Sequence, residues 1–236
     1  KLKERNVYHP EFYHLNKLEM CEKIGIQLIT IFEDEWIYKK ELVKRRLKHI
    51  LGKFDGIKIF SRNCEIKEIE SSEKNNFLDL YHIQGKDNSL VKIGAFYNNE
   101  LVSVMTFSSG NISKGSIYKE GVWELNRFCS NYNFHIPGIA SRMLDFFKKK
   151  YNWIEIYSYA DRRWSKGNLY EQLGFKVQGK PRLNYWYVKN YERIHRFNLR
   201  KKPDEPKNIS ERILRLSEGY LIVWDCGNLK FVLKNN

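Results

Sequence analysis

Apolar and polar positions switch between a helical and an alternating period along the chain, and the switches mark the elements. From Glu11 to Lys23, Phe12, Leu15, Leu18 and Met20 partly share one side, and Gly25 follows the end of the predicted helix. Ile26–Phe32, IQLITIF, is continuously apolar, the pattern of a buried strand. Ile37–Leu51 returns to the helical period. Val43, Leu47, Ile50 and Leu51 form the apolar face, and Lys39, Lys40, Lys44, Arg45, Arg46 and Lys48 lie opposite. Asp55–Ile69 reads as a connector leading into a strand. Ser71–Tyr81 reads as a helix capped at Ser71 or Ser72, and the turn His82-Ile83-Gln84-Gly85 follows.

Val91–Tyr97 and Glu100–Phe107 are predicted strands joined by Asn98-Asn99, a tight hairpin signal. Glu124–Cys129 is a further strand. A loop ending in Pro137-Gly138 leads into a helix at Ile139–Tyr151, with Met143, Leu144, Phe146 and Phe147 inward and Lys148, Lys149 and Lys150 complementing the dipole at its end. Ile154–Phe175 then gives a strand, the polar basic loop Asp161–Gly167 and a short helix at Asn168–Leu173, with Asn168 as N-cap and Gly174 past its end. Short strands at Val177 and Tyr185–Val188 follow. After the basic run Tyr191–Lys202, broken by Pro203 and Pro206, a helix at Ile209–Ser217 precedes a strand pair over Leu221–Val232 with a Cys226-Gly227-Asn228 turn.

Composition adds a partner class. The 236 residues are 42% hydrophobic and 30% charged, which is globular rather than disordered. Aromatics make up 15% and the formal net charge is +14, a combination suited to a polyanion and, among polyanions, to nucleic acid whose bases are unstacked. Cys21, Cys64, Cys129 and Cys226 form no CxxC pair, so a zinc ribbon within the chain is not expected and reduced thiols in a cytoplasmic protein are. No apolar run reaches the roughly 20 residues of a membrane helix.

Several positions carry candidate chemistry. Glu33, Asp34 and Glu35 at the end of the predicted strand would suit a divalent metal, or would serve as an acidic cluster at a helix start. Arg162, Arg163, Trp164 and Lys166 beside Asp161 combine phosphate-binding cations with a stacking ring. Arg193, Arg196, Arg200 and Lys201 extend that basic surface. Glu124 and Arg127 share the central strand, where a buried pair would position a substrate or hold the fold.

Residues 13–36, YHLNKLEMCEKIGIQLITIFEDEW, resemble the last helix and strand of the very-short-patch-repair-like endonucleases fused to other modules in phage proteins. The order helix, β-hairpin, strand, glycine-containing loop, helix, strand, short helix, strand over about residues 60–190 resembles the GCN5-related N-acetyltransferases (GNAT). That resemblance implies acetyl-coenzyme A, or a related acyl-coenzyme A, bound at the loop His135–Arg142. Gly138, Ala140 and Ser141 would offer close backbone approach, Arg142 would pair a phosphate and Asn168 would serve at the short helix. Within that superfamily the HIQG turn at His82 and residues 159–175, YADRRWSKGNLYEQLGF, resemble phage Mom-like proteins, which modify adenine in DNA. This implies His82, Asp161 and Tyr170 as catalytic residues, with His82 a general base, Asp161 orienting a base amine or accepting a proton, or both His82 and Asp161 holding a metal.

The expected fold is α/β: a GNAT-like mixed central sheet flanked by helices over 55–190, a partial nuclease-like segment over 1–54 and a small basic appendage over 191–236. The expected activity is phage-type group transfer from an acyl-coenzyme A donor to a nucleic-acid-linked amine, in the cytoplasm of a bacterial host. The rivals are a homing- or repair-type endonuclease whose GNAT-like part binds DNA, and an inactive nucleic-acid-binding module.

Overall fold

The computed structural model describes residues 10–109, 119–179 and 183–235. In chain order the elements are α1 (Tyr13–Lys23), α2 (Glu33–Tyr38), α3 (Lys40–Ile50), β1 (Ile57–Lys58), β2 (Glu65–Glu68), α4 (Ser71–Tyr81), β3 (Val91–Tyr97), β4 (Glu100–Ser109), β5 (Val122–Ser130), β6 (Phe134–His135) and α5 (Ile139–Lys150). They continue with β7 (Glu155–Asp161), α6 (Asn168–Gln172), β8 (Lys176–Val177), β9 (Tyr185–Lys189), β10 (Glu192–His195), α7 (Glu211–Ser217), β11 (Leu221–Trp224) and β12 (Asn228–Lys234). Two compact units result. The larger comprises Lys39–Tyr159, Gly167–Gly179 and Lys230–Asn236, and the smaller Lys1–Tyr38, Ala160–Lys166 and Lys180–Leu229. The serial segments 1–54, 55–190 and 191–236 therefore each contribute to both units.

The larger unit is built on a seven-stranded sheet of order β2-β3-β4-β5-β7-β12-β8. It is mixed: β2 through β5 pair antiparallel, β5 with β7 is parallel, and β12 with β8 is antiparallel. The β3–β4 hairpin turns on Asn98 and Asn99, both at positive φ (48° and 64°), the primed turn that fits strand twist and that asparagine tolerates. Helices cover the sheet. Phe77 and Leu78 of α4 bury against Ile69 and Val104, while Phe147 of α5 stacks on Phe107 with ring centroids 3.7 Å apart. Burying a ring such as Phe147 contributes about 2–3 kcal/mol. Helix α4 is fixed at its start by a reciprocal capping box between Glu70 and Glu73, so the cap is Glu70 and not Ser71 or Ser72. Its Lys74, also buried, donates to the Asp87 backbone oxygen and carboxylate, and Asp87 takes a further bond from Thr106 Oγ1 at 2.7 Å. Those bonds anchor the segment after His82 to both helix and sheet.

The smaller unit holds α1, α2, α7 and a three-stranded antiparallel sheet of order β10-β9-β11. Several expectations change here. Ile26–Phe32 is not a strand: its backbone groups are met elsewhere. The Ile26 N–H closes the end of α1 on Cys21, the Thr30 N–H meets the Arg163 carbonyl, and the Phe32 N–H donates to Glu35 Oε2 at 3.1 Å. The predicted helix Ile37–Leu51 breaks at Lys39 into the end of α2 and all of α3. β11 and β12 are not a hairpin, since β11 pairs with β9 and β12 with β8. The expected strand at Tyr185–Val188 is present as Tyr185–Lys189, at the centre of the small sheet.

Candidate active site

The central sheet of the larger unit opens between β5 and β7. β5 and β7 pair parallel at Val122↔Glu155, Trp123↔Ile156 and Glu124↔Tyr157, and the ladder ends there although both strands continue. On the other side of β5, Phe107 pairs with Leu125 and Thr106 with Arg127, so Asn126 is an extra, bulged residue. A bulge bends its strand and raises the local twist, which accounts for the two strands parting next to it. Asn126 is held in place by Ser108 Oγ, which donates to its side-chain oxygen at 2.8 Å.

A hydroxyl chain bridges the parting strands. Ser158 Oγ on β7 lies 2.7 Å from the Leu125 carbonyl and 2.8 Å from the Tyr170 hydroxyl of α6. A carbonyl only accepts, so the single Ser158 proton goes to Leu125 and the Tyr170 O–H donates to Ser158. Burial raises the Tyr170 pKa, against the lowering by the Arg127 and Arg46 charges, and the phenol keeps its proton near neutrality. Glu124, at the last paired position, is buried and accepts from the Tyr157 hydroxyl at 3.3 Å. Tyr159 is raised by burial and then by the Glu124 charge.

His82 closes α4 and shares this neighbourhood. Burial pushes its pKa well below the usual histidine value, and Arg127, Arg46 and Lys39 push the same way, so it is neutral. Its Nδ1 accepts from the Gln84 N–H at 3.2 Å, which places the proton on Nε2. The other nitrogen then carries the proton, a tautomer that offers a donor there rather than the acceptor a general base needs. Arg127 donates through Nη1 to the Asn126 carbonyl at 2.8 Å, while its buried Nε has no hydrogen-bond partner among the described residues.

At the start of α5, Gly138 is left-handed (φ 78°). The Ile139 N–H closes on Ile136 and the Arg142 N–H on Gly138, and the Ala140 and Ser141 N–H groups are the first-turn donors left open among the described residues. Arg142 does not face a phosphate site: its guanidinium donates to the Ser61 and Cys64 carbonyls. Asn168 is the first residue of α6 and not its cap, which is Gly167 at φ 93°. The donors at α5, the parted strands and the Tyr170 hydroxyl fit an acyl-coenzyme A, whereas Arg142 Nη1 is taken up by the Ser61 and Cys64 carbonyls.

The remaining predicted residues lie in the smaller unit. Asp161 is not poised for chemistry. Its carboxylate accepts from the Arg163 N–H (3.0 Å), Nε (3.1 Å) and Nη2 (2.6 Å). Arg163, 5% exposed, also donates to both oxygens of Glu35, and Arg193 joins Glu35 to Asp34. The two guanidinium centres each stand 4.1 Å from the Phe32 ring. Trp164 is buried and Arg162 is paired with Glu19 and Glu22, so neither these nor Arg163 and Arg193 form a nucleic-acid surface. Lys201 Nζ donates to the Ile209 carbonyl at 2.6 Å. Lys166, Arg196 and Arg200 are exposed. The acids at 33–35 start α2, and Asp34 and Glu35 meet arginines; among the described residues no group of three His, Cys, Asp or Glu could hold a metal.

The sequence reading missed Ser158 and the Asn126 bulge. The alternation of IYSYAD places Ser158 on one face with Ile156 and Ala160, a small polar residue among apolar ones. A bulge leaves no such signal.

No protein-family model matches the chain, and no curated protein matches it. Among solved structures it is similar to a GNAT family acetyltransferase from Elizabethkingia anophelis with acetyl-CoA bound: 14% identity, 73% of this chain and 99% of that one, TM-score 0.42. It is also similar to a Bacillus subtilis acetyltransferase in complex with CoA (12%, 74% and 99%, TM-score 0.39) and to an aminoglycoside 6′-acetyltransferase type Ii (15%, 72% and 96%, TM-score 0.41). Among the described residues no helix is long and apolar enough to cross a membrane.

Proposed function

We propose that the larger unit is a GNAT-like acyltransferase that takes an acyl-coenzyme A donor and acylates an amine carried on a nucleic acid. The observation that carries this reading is the parallel β5–β7 pair, parted at a bulge after Glu124↔Tyr157 and crossed there by the Tyr170–Ser158–Leu125 hydroxyl chain. Parted parallel strands leave backbone groups free to pair with an extended, amide-bearing ligand arm. The Ala140 and Ser141 N–H groups at the start of α5 would receive its phosphates.

The thioester of the donor, when bound, supplies an activated acyl group. Glu124 is the carboxylate best placed to accept the proton of an attacking amine. Tyr170, protonated and aligned by Ser158, is the acid that returns a proton to the leaving thiolate. His82 and Arg127 supply donors beside them, suited to an acceptor that carries oxygen acceptors or negative charge.

The nucleic-acid acceptor rests on the net charge of +14 together with the 15% aromatic content. The test is mass spectrometry of nucleosides from DNA incubated with the chain and acetyl-coenzyme A. An acetyl-sized mass gain on an amino-bearing base, absent with Tyr170→Phe, is expected. Unmodified DNA alongside acetylation of small amines would remove the nucleic-acid acceptor and keep the transferase.

A further inference from the structure

The described arginines of the smaller unit fall into two sets. Arg162, Arg163, Arg193 and Arg215 are each paired with carboxylates. Arg196, Arg200 and Arg212 are exposed, meet no carboxylate among the described residues, and lie instead over aromatic rings. Tyr185 is their centre. Its ring is 4.8 Å from that of Trp224, its partner across the β9–β11 register. Arg196 stands 5.2 Å from the Tyr185 ring, and Arg212 stands 5.2 Å from Trp224 and 6.0 Å from Tyr185. Next in the chain to Arg196, the exposed Phe197 ring lies 3.6 Å from the Arg200 guanidinium.

We infer that this face of the small sheet, Tyr185 and Trp224 flanked by Arg196, Arg212 and the Phe197–Arg200 pair, binds single-stranded nucleic acid. Guanidiniums without acids keep their charge available for phosphates, and half-buried rings held by the sheet present π faces at little cost in side-chain entropy. An acidic peptide would use the charges and leave the rings without a role; unstacked bases use both. Duplex DNA hides its bases from such rings, so the surface favours single strands. The inference deepens the nucleic-acid part of the proposed function and is independent of acyl transfer.

The test is fluorescence anisotropy of the full chain with a labelled mixed-sequence single strand, its duplex and polyglutamate, with no acyl donor present. The single strand is expected to bind at least about tenfold tighter than the duplex and polyglutamate. Arg196→Gln with Arg212→Gln should weaken binding about tenfold and lower the salt slope by about 1.4, the value for two phosphate contacts on a single strand. Both side chains are exposed, so the fold is not at issue; Trp224→Phe, which keeps a ring, should weaken binding by a smaller factor. No binding, equal affinity for duplex or polyglutamate, or unchanged affinity and slope in the double variant would overturn the inference. Acetylation of small amines in the same preparation reports separately on the larger unit.

Discussion

Asp161 and Tyr170 looked alike in the sequence, two polar residues in one stretch, and the structure assigns them opposite work. Asp161 neutralises Arg163, which with Glu35, Arg193 and Asp34 forms a buried ion network. Removing one acid leaves each arginine with a single remaining carboxylate, so Asp161→Ala or Glu35→Gln should cost about 1–3 kcal/mol for the lost charged hydrogen bonds, read as a lower urea midpoint. Burial raises the Glu35 pKa, but Arg163, Arg193 and the Phe32 N–H outweigh it and hold the carboxylate below its usual value. An acid lowered by folding stabilises above its unfolded pKa and loses that contribution as pH falls through the folded one. The acid side of the stability profile should therefore flatten in Glu35→Gln. His82 acts with the same sign in a higher window: the unfolded histidine takes up its proton first, so stability declines below about pH 6.5. His82→Gln should remove that part of the decline. Tyr170→Phe loses one hydrogen bond, about 1 kcal/mol of stability, but should lower kcat by about 10²-fold or more with little change in KM. The sequence could not distinguish these roles because Arg163 meets Glu35 across 128 positions, a pairing no local pattern carries.

Elements set by local chemistry were legible. The Asn98-Asn99 hairpin, α4 over Ser71–Tyr81 and the apolar face of α5 all follow from turn residues or the helical period. Elements set by long-range pairing were not: Leu221–Val232 reads as a hairpin, yet its halves join different sheets. The bulge at Asn126, which opens the candidate site, was equally silent, because one extra residue in a strand changes register and not composition. The short helix α6 depends on Gly167 for two reasons. Its φ of 93° is unfavourable for other residues, and an added Cβ would lie 2.0 Å from the Phe231 ring on β12. Gly167→Ala should destabilise by at least about 2 kcal/mol in thermal unfolding and, by displacing Tyr170, reduce transfer as well.

The chain as a whole divides its labour between two units that interleave in sequence. A serial reading with boundaries near 54 and 190 assigns α3 and β12 to end segments, whereas both belong to the larger unit with the candidate site. The described arginines of the smaller unit divide likewise: Arg162, Arg163, Arg193 and Arg215 neutralise acids, whereas Arg196, Arg200 and Arg212 lie over rings. The proposed enzyme requires the β5–β7 opening to take an acyl-coenzyme A. Calorimetric titration of the full chain with acetyl-coenzyme A tests it most directly. Saturable binding of one molecule per chain, retained in Arg142→Gln because that guanidinium serves the Ser61 and Cys64 carbonyls, is the predicted result. An absence of binding heat at several temperatures would contradict it and leave the molecule a binding protein on a transferase-like sheet.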